Sequence, residues 1–114
     1  MVMERGEIYW VNFGVPIGSE PGYRIPAVVL QSNTFNQTRI KTTICAILTS
    51  NLELLEAPGN ILIEKTISGL PKDSVLNISQ IYAVDKGSVE ERIGRIPDRY
   101  IARMDSSIRL IMDV

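Results

Sequence analysis

The side chains able to do chemistry are few, and one absence narrows the choice sharply. The chain has no histidine, which removes Ser-His-Asp triads, Cys-His dyads, two-histidine ribonuclease chemistry and most zinc sites. Its one cysteine, Cys45, lies in Thr43-Ile44-Cys45-Ala46-Ile47. No cationic neighbour in sequence lowers its pKa, so it reads as a structural thiol. The thirteen carboxylates are scattered. Their only adjacent pair, Glu90-Glu91, reads as a solvated strand end or turn. There is no ligand-spaced His/Cys cluster, P-loop or dinucleotide fingerprint, and Gly14 and Gly18 are too sparse to cradle a phosphate. No metal and no cofactor is expected.

What remains is a set of polar residues at strand ends and in loops: Ser19, Glu20, Arg24, Thr49, Ser50, Asn51, Asn77, Ser79 and Gln80. Taken singly, each suits a turn or a strand end. Arg24 stands where a long loop enters an apolar strand. There its guanidinium can offer a rigid fork to a phosphate, or pair with Glu20, or snorkel along the strand edge. Thr49 closes the apolar run Ala46-Ile47-Leu48, where its hydroxyl can donate to an oxyanion or cap a turn.

The elements that must position these residues are strands first and a helix last. Gly6–Phe13 is rich in β-branched and aromatic residues between glycines. Arg24–Gln31 holds the apolar run Ile25–Leu30, with Pro26 near its start. Arg39–Leu48 alternates, with Ile40, Thr42, Ile44, Ala46 and Leu48 on one face and Lys41, Thr43, Cys45 and Ile47 on the other. Asn60–Glu64 and Val75–Val84 read as further strands, set apart by the turn signals Pro58-Gly59-Asn60, Ser68-Gly69-Leu70-Pro71 and Asp85-Lys86-Gly87. The period then changes. Ile101, Met104, Ile108 and Ile111 recur at spacings of three and four behind Pro97, which predicts a helix over Asp98–Met112. The ten residues Gly14–Tyr23 form a longer loop than two adjacent strands need, a length often associated with function.

The bulk properties agree with one small domain, residues 1–114. The chain has 45% hydrophobic and 22% charged residues and a formal net charge of −1, the balance of an ordinary globular protein. The longest apolar run is far short of the ~20 residues that span a bilayer. No secretory signal pattern opens the chain, so a reducing cytoplasm is the expected compartment. With no bulk positive charge, any contact with nucleic acid must rest on a local patch. The order of elements predicts a mostly β fold, an SH3-like small antiparallel barrel with a C-terminal helix.

Several segments, in this order and spacing, resemble the MazF/PemK family of toxin endoribonucleases over nearly the whole chain. They are Arg5-Gly6-Glu7-Ile8-Tyr9-Trp10, Gly18-Ser19-Glu20-Pro21-Gly22, Pro26–Ser32, Ile47-Leu48-Thr49-Ser50-Asn51, Gly69–Val75 and Ser79-Gln80-Ile81 followed by Val84-Asp85-Lys86. The resemblance implies a homodimer and metal-independent cleavage of single-stranded RNA, leaving 2′,3′-cyclic phosphate and 5′-hydroxyl ends. It also implies restraint by a MazE-like antitoxin lying over the RNA groove. Thr49 corresponds to the family's catalytic threonine, and Ser19, Glu20, Ser50 and Gln80 match positions of its RNA groove. The ribose 2′-hydroxyl is the nucleophile in such a reaction. Arginine and hydroxyl donors can therefore supply the electrostatic part, with Glu20 or water as the base.

The departures are specific. The family's catalytic arginine directly precedes the strand-opening proline, and here that position is Ile25, with Arg24 one residue earlier. Neighbours on a strand face opposite ways. Either Arg24 takes over, or activity is weakened, or the chain is an inactive form. Tyr82 and Ser79 stand where many members carry arginine and glutamate. The competing reading is a catalytically inactive binding protein on the same barrel, engaging an antitoxin or a protein target such as gyrase.

Overall fold

In the computed structural model, which describes residues 2–15, 18 and 22–114, alternating apolar positions make strands that bury two faces of one sheet. Among the described residues the strands are β1 (Glu7–Asn12), β2 (Arg24–Val29), β3 (Thr42–Thr49), β4 (Ile61–Ile63), β5 (Ser74–Asp85) and β6 (Val89–Arg95). They pair antiparallel in the order β4-β5-β3-β2-β1-β6. Ile8, Val28, Ala46, Leu48, Leu76 and Ile78 pack on one face. Tyr9, Val11, Ala27, Val29, Cys45 and Val89 pack on the other. Register breaks in the β1–β6 and β3–β5 ladders add local twist. The result is a curled half-barrel closed on one side by the C-terminal helix.

That helix, α3, covers Asp98–Met112 as the periodicity predicts. Met104 is fully buried, and Tyr100, Ile101 and Ile108 pack against the larger core. Ile111, expected on the buried stripe, is 44% exposed, as are its neighbours Leu110 and Met112 in the last turn. Gly6 is needed where α3 approaches β1. Its φ is +89°, and a Cβ there would come within 2.7 Å of the Ile101 Cδ1.

Three sequence readings need correction. The stretch after Asp85-Lys86-Gly87, not read as a strand, forms β6 because β1 offers it a partner edge, and Glu90-Glu91 is exposed at its start, the solvated strand end expected. β3 begins at Thr42 rather than Arg39, since the preceding residues follow the short helix α1 (Asn33–Asn36), which Ser32 caps. A second short helix, α2 (Lys65–Ser68), falls between β4 and β5 and ends on Gly69 in the left-handed region.

Buried side-chain polar atoms are paired throughout the described residues. Glu7 accepts from the Glu4 backbone N–H at 2.6 Å, from the Tyr9 hydroxyl at 3.0 Å and from Arg92 Nε. Burial alone would raise its pKa, but these donors outweigh it and hold the carboxyl below the ordinary value. Burial, then the neighbouring Glu7, pushes Tyr9 up to about 12. Burial does the same to Cys45, also to about 12, leaving it a thiol at neutral pH.

Candidate active site at one end of the sheet

Antiparallel pairing gathers the candidate residues at one end of the sheet. There the C-terminal ends of β1 and β3 meet the N-terminal ends of β2 and β5. Asn12 pairs with Arg24, Thr49 with Val75, and Ile63 with Ser74. The ladder between β2 and β3 pairs Ala27 with Ile47. Continued by two residues, that register sets Ile25 opposite Thr49 on the same face. Arg24 lies on the other face with Trp10 and Pro26.

Arg24 is held there by three contacts. Its Nε donates to Glu90 Oε1 at 2.9 Å, one Nη to Glu91 Oε2 at 3.3 Å, and its Cζ lies 4.6 Å from the centroid of the Trp10 ring. The partner offered by the structure is thus the acidic pair of β6. Glu20, with Ser19, lies outside the described residues. Trp10, Pro26, Leu48, Ser50, Lys72 and Ser74 line a cleft of about 250 Å³ on the Arg24 face. Arg24 stacks on Trp10, one of the lining residues, and Ser50 is another.

Thr49 is half-buried. Its Oγ1 accepts from the Asn51 N–H at 3.2 Å. The hydroxyl proton meets no acceptor among the described residues and is available to a ligand. Beside it, β5 is irregular: Ala46 pairs with Ile81 but Leu48 pairs with Leu76. Residues 77–80 therefore bulge opposite Ile47, and Ser79 and Gln80 emerge exposed from the bulge. Thr49 and Ile25 on one face and Arg24 and Ser50 on the other share this end of the sheet, and Gln80 emerges from the bulge midway along β5. Arg24 and Thr49 do not meet.

Sequence reasoning missed Asn60, which anchors the bulge, and the apolar cleft itself. The bulge had a signal. Leu76 and Ile78 are even-numbered and Ile81 odd, yet all three belong to one face of the sheet, and only an odd number of inserted residues, here three, reconciles that parity.

The PemK-like, MazF-like toxin of type II toxin-antitoxin system model matches residues 4–112. The chain belongs to this family. Within it, the chain is 39% identical over 114 residues, all of both proteins, to Endoribonuclease MazF6 of Mycobacterium tuberculosis strain H37Rv. The half-barrel is that of solved family members. The crystal structure of MazF (Form-I) from Deinococcus radiodurans superposes with a TM-score of 0.82 at 20% identity, covering 100% of this chain and 99% of that one. A crystal structure of MazE-MazF (Form-II) from the same organism gives 0.78 at 21% identity, covering 100% and 98%.

Proposed function

We propose that this MazF-family toxin is a sequence-selective endoribonuclease. It cuts single-stranded RNA, messenger RNA above all, in the cytoplasm without a metal, and so stops translation. The observation that carries this reading is the end-to-end identity of 39% with a protein named as an endoribonuclease. In the proposed reaction the ribose 2′-oxygen attacks the adjacent phosphorus as its proton leaves. The bond to the 5′-oxygen breaks and that oxygen is protonated, leaving a 2′,3′-cyclic phosphate and a 5′-hydroxyl. The Thr49 hydroxyl donates to a phosphoryl oxygen as negative charge builds on it. Arg24 adds positive charge after leaving Glu90 and Glu91, because a guanidinium holds its protons and acts by charge alone. Ser19, Glu20, Ser50 and Gln80 line the path of the RNA.

Ile25 is the weak point. Opposite Thr49 it brings no donor to the phosphate, so the chain cuts slowly. The apolar surface formed by Ile44, Ile81 and the exposed end of α3, next to a cavity of about 400 Å³ bordered by Ile108 and Met112, suits a two-fold contact between copies of the chain. A MazE-like antitoxin is the partner that restrains the dimer, a reading supported by the MazE-MazF structure from Deinococcus radiodurans that shares this fold.

The test is purified protein on a long single-stranded RNA in excess chelator, with the fragment ends identified. Cyclic-phosphate and 5′-hydroxyl ends are expected. Ile25→Arg should raise the rate about 10²–10³-fold, and Thr49→Val should lower it by a similar factor. Intact RNA with both the parent and Ile25→Arg, alongside tight antitoxin binding, would instead establish a catalytically inactive binding protein.

A further inference from the structure

The polarity of the exposed Gln80 amide is set by a chain of hydrogen bonds that begins on the backbone. Asn60 Oδ1 accepts from the N–H groups of Ile78 at 2.9 Å and Ser79 at 3.4 Å. Only the oxygen of the amide can do this, so Asn60 Nδ2 is fixed as the donor to the Leu54 carbonyl at 2.9 Å and to Asn77 at 3.1 Å. The atom of Asn77 that receives this bond must be Oδ1, which also accepts the Ser79 hydroxyl proton. Asn77 Nδ2 therefore faces Gln80 and donates to its Oε1 at 3.2 Å. One result is that Gln80 Nε2 points outward with no acceptor among the described residues. The other is that Ser79, its proton spent on Asn77, offers only lone pairs.

We propose that Asn60 and Asn77 are positioning residues that fix a donor from Gln80 beside an acceptor from Ser79, and that this pair reads a nucleobase edge. This rests on the endoribonuclease reading and deepens it. A phosphate presents acceptors alone and would leave Ser79 without a partner. A base edge with an acceptor next to a donor satisfies both groups. Asn77 is only 3% exposed, so it acts through Gln80 and has no route to the RNA itself.

The experiment is to invert the amide. Asn77→Asp keeps the acceptor for Asn60 and Ser79 but replaces the Nδ2 donor with an oxygen, so Gln80 must rotate its Nε2 inward and expose Oε1. Gln80→Glu exposes an oxygen without touching the buried site, and covers the case in which Asn77→Asp does not fold. Cleavage of a randomised single-stranded RNA library should show both variants changing base preference at the same nucleotide, with the parental base disfavoured by about tenfold. In a Gln80→Ala background, Asn77→Asp should cause no further change in preference. A uniform loss on all sequences, or an equal effect of Asn77→Asp with and without Gln80, would overturn the proposal. Side-chain amide NMR on the RNA-free protein separates its failure from that of the function. Slow proton exchange at Asn77 Nδ2 and fast exchange at Gln80 Nε2 support the fixed polarity, and the reverse overturns it. A parent protein that leaves the library whole overturns the ribonuclease reading and the base-reading role together, while the NMR still decides the polarity.

Discussion

Two polar clusters, one at the β5 bulge and one at the start of β2, are built in opposite ways. Around the β5 bulge, Asn60 and the 3%-exposed Asn77 sit in a relay whose first link is backbone. At the β2 corner, Arg24 is bound to Glu90 and Glu91, and these three side chains are 47%, 41% and 74% exposed. A buried amide cannot turn without leaving a donor or acceptor unpaired, which costs about 1–3 kcal/mol per group. An exposed ion pair exchanges its partners for water at a median cost near zero to about 1 kcal/mol. The first cluster is therefore suited to selecting among ligands and the second to releasing a charge to one.

The largest test of this contrast is Asn60→Ala. It strips partners from Ile78 N–H, Ser79 N–H, the Leu54 carbonyl and Asn77 at once. Even with water recovering part of the loss, destabilisation of roughly 2–3 kcal/mol is expected, a fall in Tm of about 10 °C or more for a chain of this size. Thermal denaturation measures it. A change under about 0.5 kcal/mol would mean the relay is no stiffer than the exposed corner.

How much of this was legible beforehand differs between the clusters for a physical reason. The strands other than β6, their alternation through Cys45 and Ala46, and the terminal helix follow from periodicity, because one side chain's burial is decided by its local spacing. Thr49 and Ser50 could be placed at a strand end for the same reason, whereas Gln80, grouped with them in the sequence, lies midway along β5 in the bulge. The partner of Arg24 could not, since Glu90 stands 66 residues away and meets it only because β6 crosses to pair with β1. Asn60 read as a turn residue because nothing local to Pro58-Gly59-Asn60 announces two backbone donors eighteen and nineteen residues on.

Glu7 offers an intermediate case, a buried carboxylate whose cationic partner is half exposed. Its folded pKa lies below the ordinary carboxylate value. The stability it adds is thus present above the unfolded pKa of about 4.3 and is lost as pH falls through the folded value. Glu7→Gln retains an oxygen for Tyr9 and Glu4 but loses the charge-assisted bond. It should cost about 1 kcal/mol at neutral pH and flatten the acid limb of a stability profile measured by denaturant titration. A mutant profile with the parental acid limb would remove Glu7 as its source. Tyr9 acts at the other extreme: with its folded pKa at about 12, stability should fall as pH rises above about 10.

The smallest expected effect on stability is the most informative about Arg24. Replacing both Glu90 and Glu91 by Gln keeps the shape of β6 and removes the charges that hold the guanidinium over Trp10. Because the pairs are exposed, unfolding free energy should change by no more than about 0.5 kcal/mol. RNA binding, in contrast, should tighten severalfold, because Arg24 no longer has to leave two carboxylates and the repulsion between those carboxylates and a phosphate is gone. The gain should shrink at high salt. Repeating the substitutions with Arg24→Ala separates these two contributions: the part carried by Arg24 disappears and the part due to lost repulsion remains. A full gain without Arg24 would show that the acidic pair merely repels RNA. Arg24 would then be a structural arginine on the wrong face of the sheet, and the charge on the phosphate would have to come from elsewhere.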